Sequence, residues 1–84
     1  TVVLLDEPTR GIDVGAKVDV YELVNRLTAA GKAVVLVSSE IPELLGMSDR
    51  IVILSEGRVG GTFTRDDATP ELLLTAAMAF HFEE

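Results

Sequence analysis

The chain opens on an unbroken apolar run, Val2-Val3-Leu4-Leu5, that stops at Asp6-Glu7-Pro8. Strands covered on both faces of a parallel sheet read as continuous hydrophobic runs, and ligands of open α/β sheets collect beyond the carboxyl ends of such strands. The run therefore predicts a buried strand that delivers Asp6 and Glu7 to the rim of a site. A polar, glycine-bearing turn follows at Thr9-Arg10-Gly11-Ile12-Asp13, and from Val14 to Ala30 the apolar residues Val20, Leu23, Val24 and Leu27 keep helical spacing. Asp13 is placed to cap this helix and Gly31 to close it. Ala33 to Val37 is a second apolar, β-branched run, and it ends in Ser38-Ser39-Glu40. Strand, helix and strand in this order predict a βαβ unit, so the Asp6-Glu7 edge and the Ser38-Ser39-Glu40 edge are expected as neighbours or near neighbours on one rim.

The second half continues with a short helix from about Pro42 to Leu45 that stops at Gly46, then Arg50 to Leu54 as another buried strand. Ser55-Glu56-Gly57-Arg58 is a turn, and Val59 to Thr64 is expected to return as an antiparallel edge strand, weakened by Gly60-Gly61. Thr69, Pro70 and Glu71 give an N-cap, a proline in the first turn and an early acid, from which a last helix runs through Leu72 to Phe80. There is no internal repeat and no low-complexity segment.

Charge and composition narrow the chemistry. With 14 acidic against 7 basic residues the net charge is -7, and the basic residues are scattered, which opposes nucleic acid or an anionic membrane surface as partner. Cysteine is absent, so no disulfide framework or thiolate metal site is available. No apolar stretch approaches the ~20 residues of a membrane span, and nothing resembles a secretory signal. A chain of 84 residues that begins at Thr1, directly on its first strand, is expected to be a truncated reading frame.

The string Leu4-Leu5-Asp6-Glu7-Pro8-Thr9, followed by Gly11-Ile12-Asp13, resembles the Walker B and D-loop segment of an ABC transporter ATPase. Arg10, Gly15-Ala16-Lys17, Val37-Ser38-Ser39-Glu40, Pro42-Glu43 and Gly46-Met47-Ser48-Asp49-Arg50-Ile51 are similar to the second cassette of the tandem ATP-binding subunits of bacterial sugar importers, of the ribose, galactose and xylose type. The resemblance implies an α/β fold: the C-terminal part of a P-loop NTPase domain, a parallel βαβ unit followed by a hairpin and a terminal helix. Residues 1–80 would be the partial ATPase domain and 81–84 a tail. It implies ATP and Mg²⁺ as cofactors, with Asp6 holding the water shell of the metal and Glu7 acting as general base or water-orienting acid. Asp13 would be the D-loop acid that couples two nucleotide sites. Ser39 stands at the switch position, where most cassettes carry a histidine that bridges the γ-phosphate and the catalytic acid. Serine donates one hydrogen bond and carries no positive charge, so hydrolysis here is expected to be slow or asymmetric between cassettes. The partners implied are a second ATP-binding cassette, transmembrane permease subunits and, indirectly, a periplasmic or extracellular sugar-binding protein. The location implied is the cytoplasmic face of the bacterial plasma membrane.

A phosphate cradle needs G-x-x-x-x-G-K-[ST], and Gly31-Lys32, the one Gly-Lys pair, has Arg26 and Ala33 where the first glycine and the hydroxyl should stand. No leucine-serine-glycine-glycine signature is present, and the fragment alone is expected to be inactive. Plainer readings remain beside these. Asp6-Glu7 and Ser38-Ser39-Glu40 also suit helix capping, Asp13 can be only a cap, and Met47 and Met78 fit simple packing. Two other functions keep the fold: a non-catalytic cassette that braces a transporter, and an ABC-type ATPase acting on DNA or ribosomes.

Overall fold

A computed structural model of the chain describes residues 1–80; the 81–84 tail, including His81, which has no assigned role, and the Glu83-Glu84 end read as solvated, lies outside the described residues. Two compact units divide the chain, Thr1–Ser39 and the part from Glu40 onward.

In the first unit β1 (Val2–Asp6), α1 (Val14–Ala29) and β2 (Ala33–Val37) form the expected βαβ order. The strands pair in parallel, from Val2 opposite Ala33 to Asp6 opposite Val37. Helix α1 starts where the sequence places its cap: the Ala16 N–H donates to Asp13 Oδ1 at 2.8 Å, which satisfies one of the donors left over in a first helical turn. It ends in a Schellman closure. Gly31 takes a left-handed φ of 86°, its N–H donates to the Thr28 carbonyl at 3.0 Å, and the Lys32 N–H donates to the Leu27 carbonyl at 3.1 Å.

The expectation that β1 is covered on both faces is corrected. Its side chains alternate, Val3 and Leu5 half-buried, Val2 and Leu4 exposed at 69% and 66%. Strand β2 repeats the pattern, with Val35 and Val37 exposed. A single helix laid on a two-stranded sheet shields at most one of its faces.

The second unit holds α2 (Ile41–Met47), β3 (Arg50–Ser55), β4 (Arg58–Thr64) and α3 (Pro70–Ala77). Helix α2 does not stop at Gly46 but passes through it to Met47, and Gly46 lacks the positive φ of a helix-closing glycine. The Arg65 Nη2 donates to the Gly46 carbonyl at 3.2 Å and so satisfies a carbonyl near the end of α2. Strands β3 and β4 form an antiparallel hairpin, with Arg50 opposite Thr64 and Ser55 opposite Arg58. Its two-residue turn carries positive φ at both Glu56 and Gly57, 51° and 76°, the arrangement that matches the twist of paired strands. Here too the apolar run has one buried face: Ile51, Ile53 and Ser55 are buried, whereas Arg50, Val52 and Leu54 are exposed.

The core of this unit is Ile51, Ile53, Leu73 and Ala76, flanked by Ile41, Leu44, Leu45, Phe63 and Ala68. Helix α3 is capped by Thr69, whose Oγ1 accepts from the Leu72 N–H at 3.2 Å. Its closeness to the hairpin gives Gly60-Gly61 a purpose that the strand pattern did not suggest. A Cβ on Gly60 would overlap the Ala76 carbonyl oxygen and lie 3.0 Å from its carbon, and one on Gly61 would lie 2.9 Å from the Phe63 ring and 3.1 Å from the Ala76 Cβ. The helix ends at Ala77 and does not reach Phe80, because the Phe80 N–H turns back to donate to Ser55 Oγ at 3.2 Å. There the Arg58 guanidinium sits 5.0 Å over the centre of the Phe80 ring, a cation–π contact. Among the described residues no helix is long and apolar enough to cross a membrane.

Candidate functional site

The polar residues singled out in the first unit gather at the carboxyl ends of its parallel pair. Asp6 is the last residue of β1, exposed and opposite Val37. Glu7 leaves the ladder while still held by it: its N–H donates to the Val37 carbonyl at 2.7 Å. Its backbone then turns into the left-handed region, φ 49°, immediately before Pro8. The loop closes through the Arg10 N–H on the Glu7 carbonyl at 3.2 Å and the Ile12 N–H on the Thr9 carbonyl at 3.4 Å, with Gly11 at φ 76°.

From the other strand, Ser39 lies two residues beyond β2, and its Oγ donates to Glu7 Oε2 at 3.3 Å. Residues 32 positions apart thus meet because the parallel register carries both strand ends to one rim. Asp13 stands apart in its use, since its Oδ1 is engaged by the first turn of α1. Sequence reasoning did not pick out Thr9, which is only 2% exposed within the acid-bearing loop. A threonine between a proline and an arginine in a glycine-bearing turn reads as a turn residue, and no local signal marks it as buried.

Among the described residues no group of three or more His, Cys, Asp or Glu side chains converges on a metal position. The donor set is therefore not that of a protein cage such as a structural zinc site. Asp6 offers one exposed carboxylate at the end of β1. That suits Mg²⁺, which commonly takes one or two carboxylates and fills its remaining positions with water and substrate phosphates.

No family model matches the chain. Individual relatives do. Over 80 residues, 95% of its length, it is 56% identical to the ribose import ATP-binding protein RbsA 2 of Streptomyces coelicolor. The chain is thus similar over most of its length to a sugar-import ATP-binding protein. It is also 59% identical over 76 residues to the xylose import ATP-binding protein XylG of Moorella thermoacetica, and 52% identical over 80 residues to the ribose import ATP-binding protein RbsA of Clostridium perfringens. These matches cover 90% or more of the chain but only about 16% of the relatives' own length, so it aligns with a small part of each. A match over 95% of the chain extends across both units.

Proposed function

We propose that the chain is the C-terminal part of the second cassette of an ABC-type ATP-binding subunit, and that residues 1–80 supply the metal and water half of an ATP-hydrolysing site that powers sugar import. The observation that carries this reading is the meeting of Glu7 and Ser39 beside Asp6, at the carboxyl ends of a parallel strand pair. Phosphoryl transfer asks little covalent chemistry of a protein; it asks for placed acceptors and neutralised charge. Glu7 would orient the attacking water through its carboxylate and accept its proton as the bond from the γ-phosphorus to the bridging oxygen breaks. Asp6 would hold Mg²⁺ through water, and the bound ion would neutralise charge on the phosphates. Ser39, at the switch position, would take the place of the usual histidine. Asp13 caps α1 and would, as the D-loop acid, also couple this site to that of a second cassette.

The relatives' names speak of ribose and xylose import, which supports transmembrane permease subunits as partners and, indirectly, a sugar-binding protein outside the membrane. It supports a peripheral position on the cytoplasmic face of the plasma membrane. The same names, with the net charge of -7, speak against action on DNA or ribosomes. One observation favours a second reading: a hydroxyl at position 39, which cannot carry charge, suits a cassette that binds nucleotide as a brace without turning it over. Glu7→Gln in the full-length gene product separates the two. An ATPase retains ATP and stops transport in this variant; a brace transports at the parental rate.

A further inference from the structure

Among the described residues two that are not glycine have positive φ, Glu7 at 49° and Glu56 at 51°. Glu56 is accounted for by its hairpin turn, in which both central residues need that conformation. Glu7 has no such turn to explain it, and it precedes Pro8, whose ring favours extended backbone in the residue before it. Side chains with a Cβ pay a steric penalty in the left-handed region, and such conformations persist where the surroundings over-determine them, often at functional sites. Three hydrogen bonds hold Glu7. Its N–H donates to the Val37 carbonyl at 2.7 Å, its carbonyl accepts from the Arg10 N–H at 3.2 Å, and its Oε2 accepts from Ser39 Oγ at 3.3 Å. Two of the three come from the end of β2.

A serine hydroxyl has a single proton to give. In this arrangement it goes to the Glu7 carboxylate and is not available to a phosphate oxygen. We infer that Ser39 is a positioning residue that acts through Glu7 and not a phosphate ligand, so that the end of β2 grips the acid by backbone and side chain together. The inference rests on the reading of Glu7 as the water-orienting acid. Catalysis by a placed acceptor is lost steeply with misplacement, so freeing the carboxylate affects turnover and leaves nucleotide binding intact.

The test is steady-state hydrolysis of Mg-ATP by the full-length gene product with Glu7→Gln, Ser39→Ala and Ser39→Thr. Ser39 is exposed, so both of its variants keep the fold. The expected result is that Glu7→Gln abolishes turnover, Ser39→Ala lowers kcat about tenfold with KM for ATP within about twofold, and Ser39→Thr, which keeps the hydroxyl, restores most of kcat. A rise in KM with kcat unchanged makes the hydroxyl a nucleotide ligand and overturns the inference. So does a Ser39→Ala enzyme that matches the parent while Glu7→Gln is inactive. If Glu7→Gln itself turns over at the parental rate, the reading of Glu7 as the water-orienting acid fails and the role of Ser39 falls with it, a result distinct from the other two.

Discussion

Replacing Gly60 by alanine tests whether α3 is seated on the hairpin as closely as described. The new Cβ meets the carbonyl oxygen and carbon of Ala76, which are backbone atoms of a helix and cannot swing aside as a flexible side chain would. Ordinary carbon contacts lie at about 3.5–4.0 Å, so α3 must retreat by roughly 1 Å or the hairpin must bend. Either movement loosens Leu73, which is 0% exposed, and Ala76, which is 7% exposed. Overpacking of this kind costs ~1–3 kcal/mol, and losing part of the ~1.5–3 kcal/mol from a buried leucine brings the expected loss to about 3 kcal/mol. Gly46→Ala is the matched control: the same atom is added inside α2, where nothing lies within 4 Å, and helix propensity predicts a gain of ~0.5–1 kcal/mol. Both changes restrict the unfolded chain alike, so the difference between the variants isolates the collision. Urea unfolding followed by far-ultraviolet circular dichroism measures it, as a shift in midpoint at constant slope. A Gly60→Ala chain as stable as the parent would refute the close seating of α3.

Other outcomes follow from the same geometry. Asp13→Ala removes the acceptor for the Ala16 N–H and is expected to cost ~1 kcal/mol in the same denaturation experiment, whereas Asp13→Asn, which keeps a capping oxygen, stays within a few tenths of the parent. If both variants lose equally, charge and not capping is the contribution of Asp13. Leu73→Ala empties the most buried position of the second unit and should cost ~2–5 kcal/mol, with amide exchange accelerating in β3 and α3; protection unchanged there would place the core elsewhere.

The elements were legible because each rests on local chemistry. Helix α1 is bracketed by Asp13 and Gly31, α3 by Thr69-Pro70, and the hairpin is signalled by Glu56-Gly57 between two strand-like runs. Burial was less legible. An apolar run says what a strand tolerates on each face, not what packs there, and Val2, Leu4, Val52 and Leu54 are exposed despite belonging to unbroken runs. Glycine was the harder residue to read. Gly46 looked like a helix stop because glycine often is one, and Gly60-Gly61, where a register shift does interrupt the ladder, gave no sign of Ala76, the helical residue about 15 positions further on that packs against them. Of the candidate site, the closeness of the Asp6-Glu7 and Ser38-Ser39-Glu40 edges was readable from the βαβ order, but the Ser39–Glu7 hydrogen bond itself was not. The left-handed turn at Glu7 was not, since neither strand periodicity nor Pro8 forecasts it.

That turn sets two selections against each other at a single codon. In a library sorted for folding alone, position 7 should drift toward glycine and asparagine, which tolerate a φ of 49° better than glutamate does. A library sorted for turnover should hold glutamate against that drift. Subtracting one enrichment profile from the other would cancel the preference of the backbone and leave only what the carboxylate contributes. At Glu56, where the hairpin asks for the same φ and no catalytic role is proposed, the two profiles should coincide.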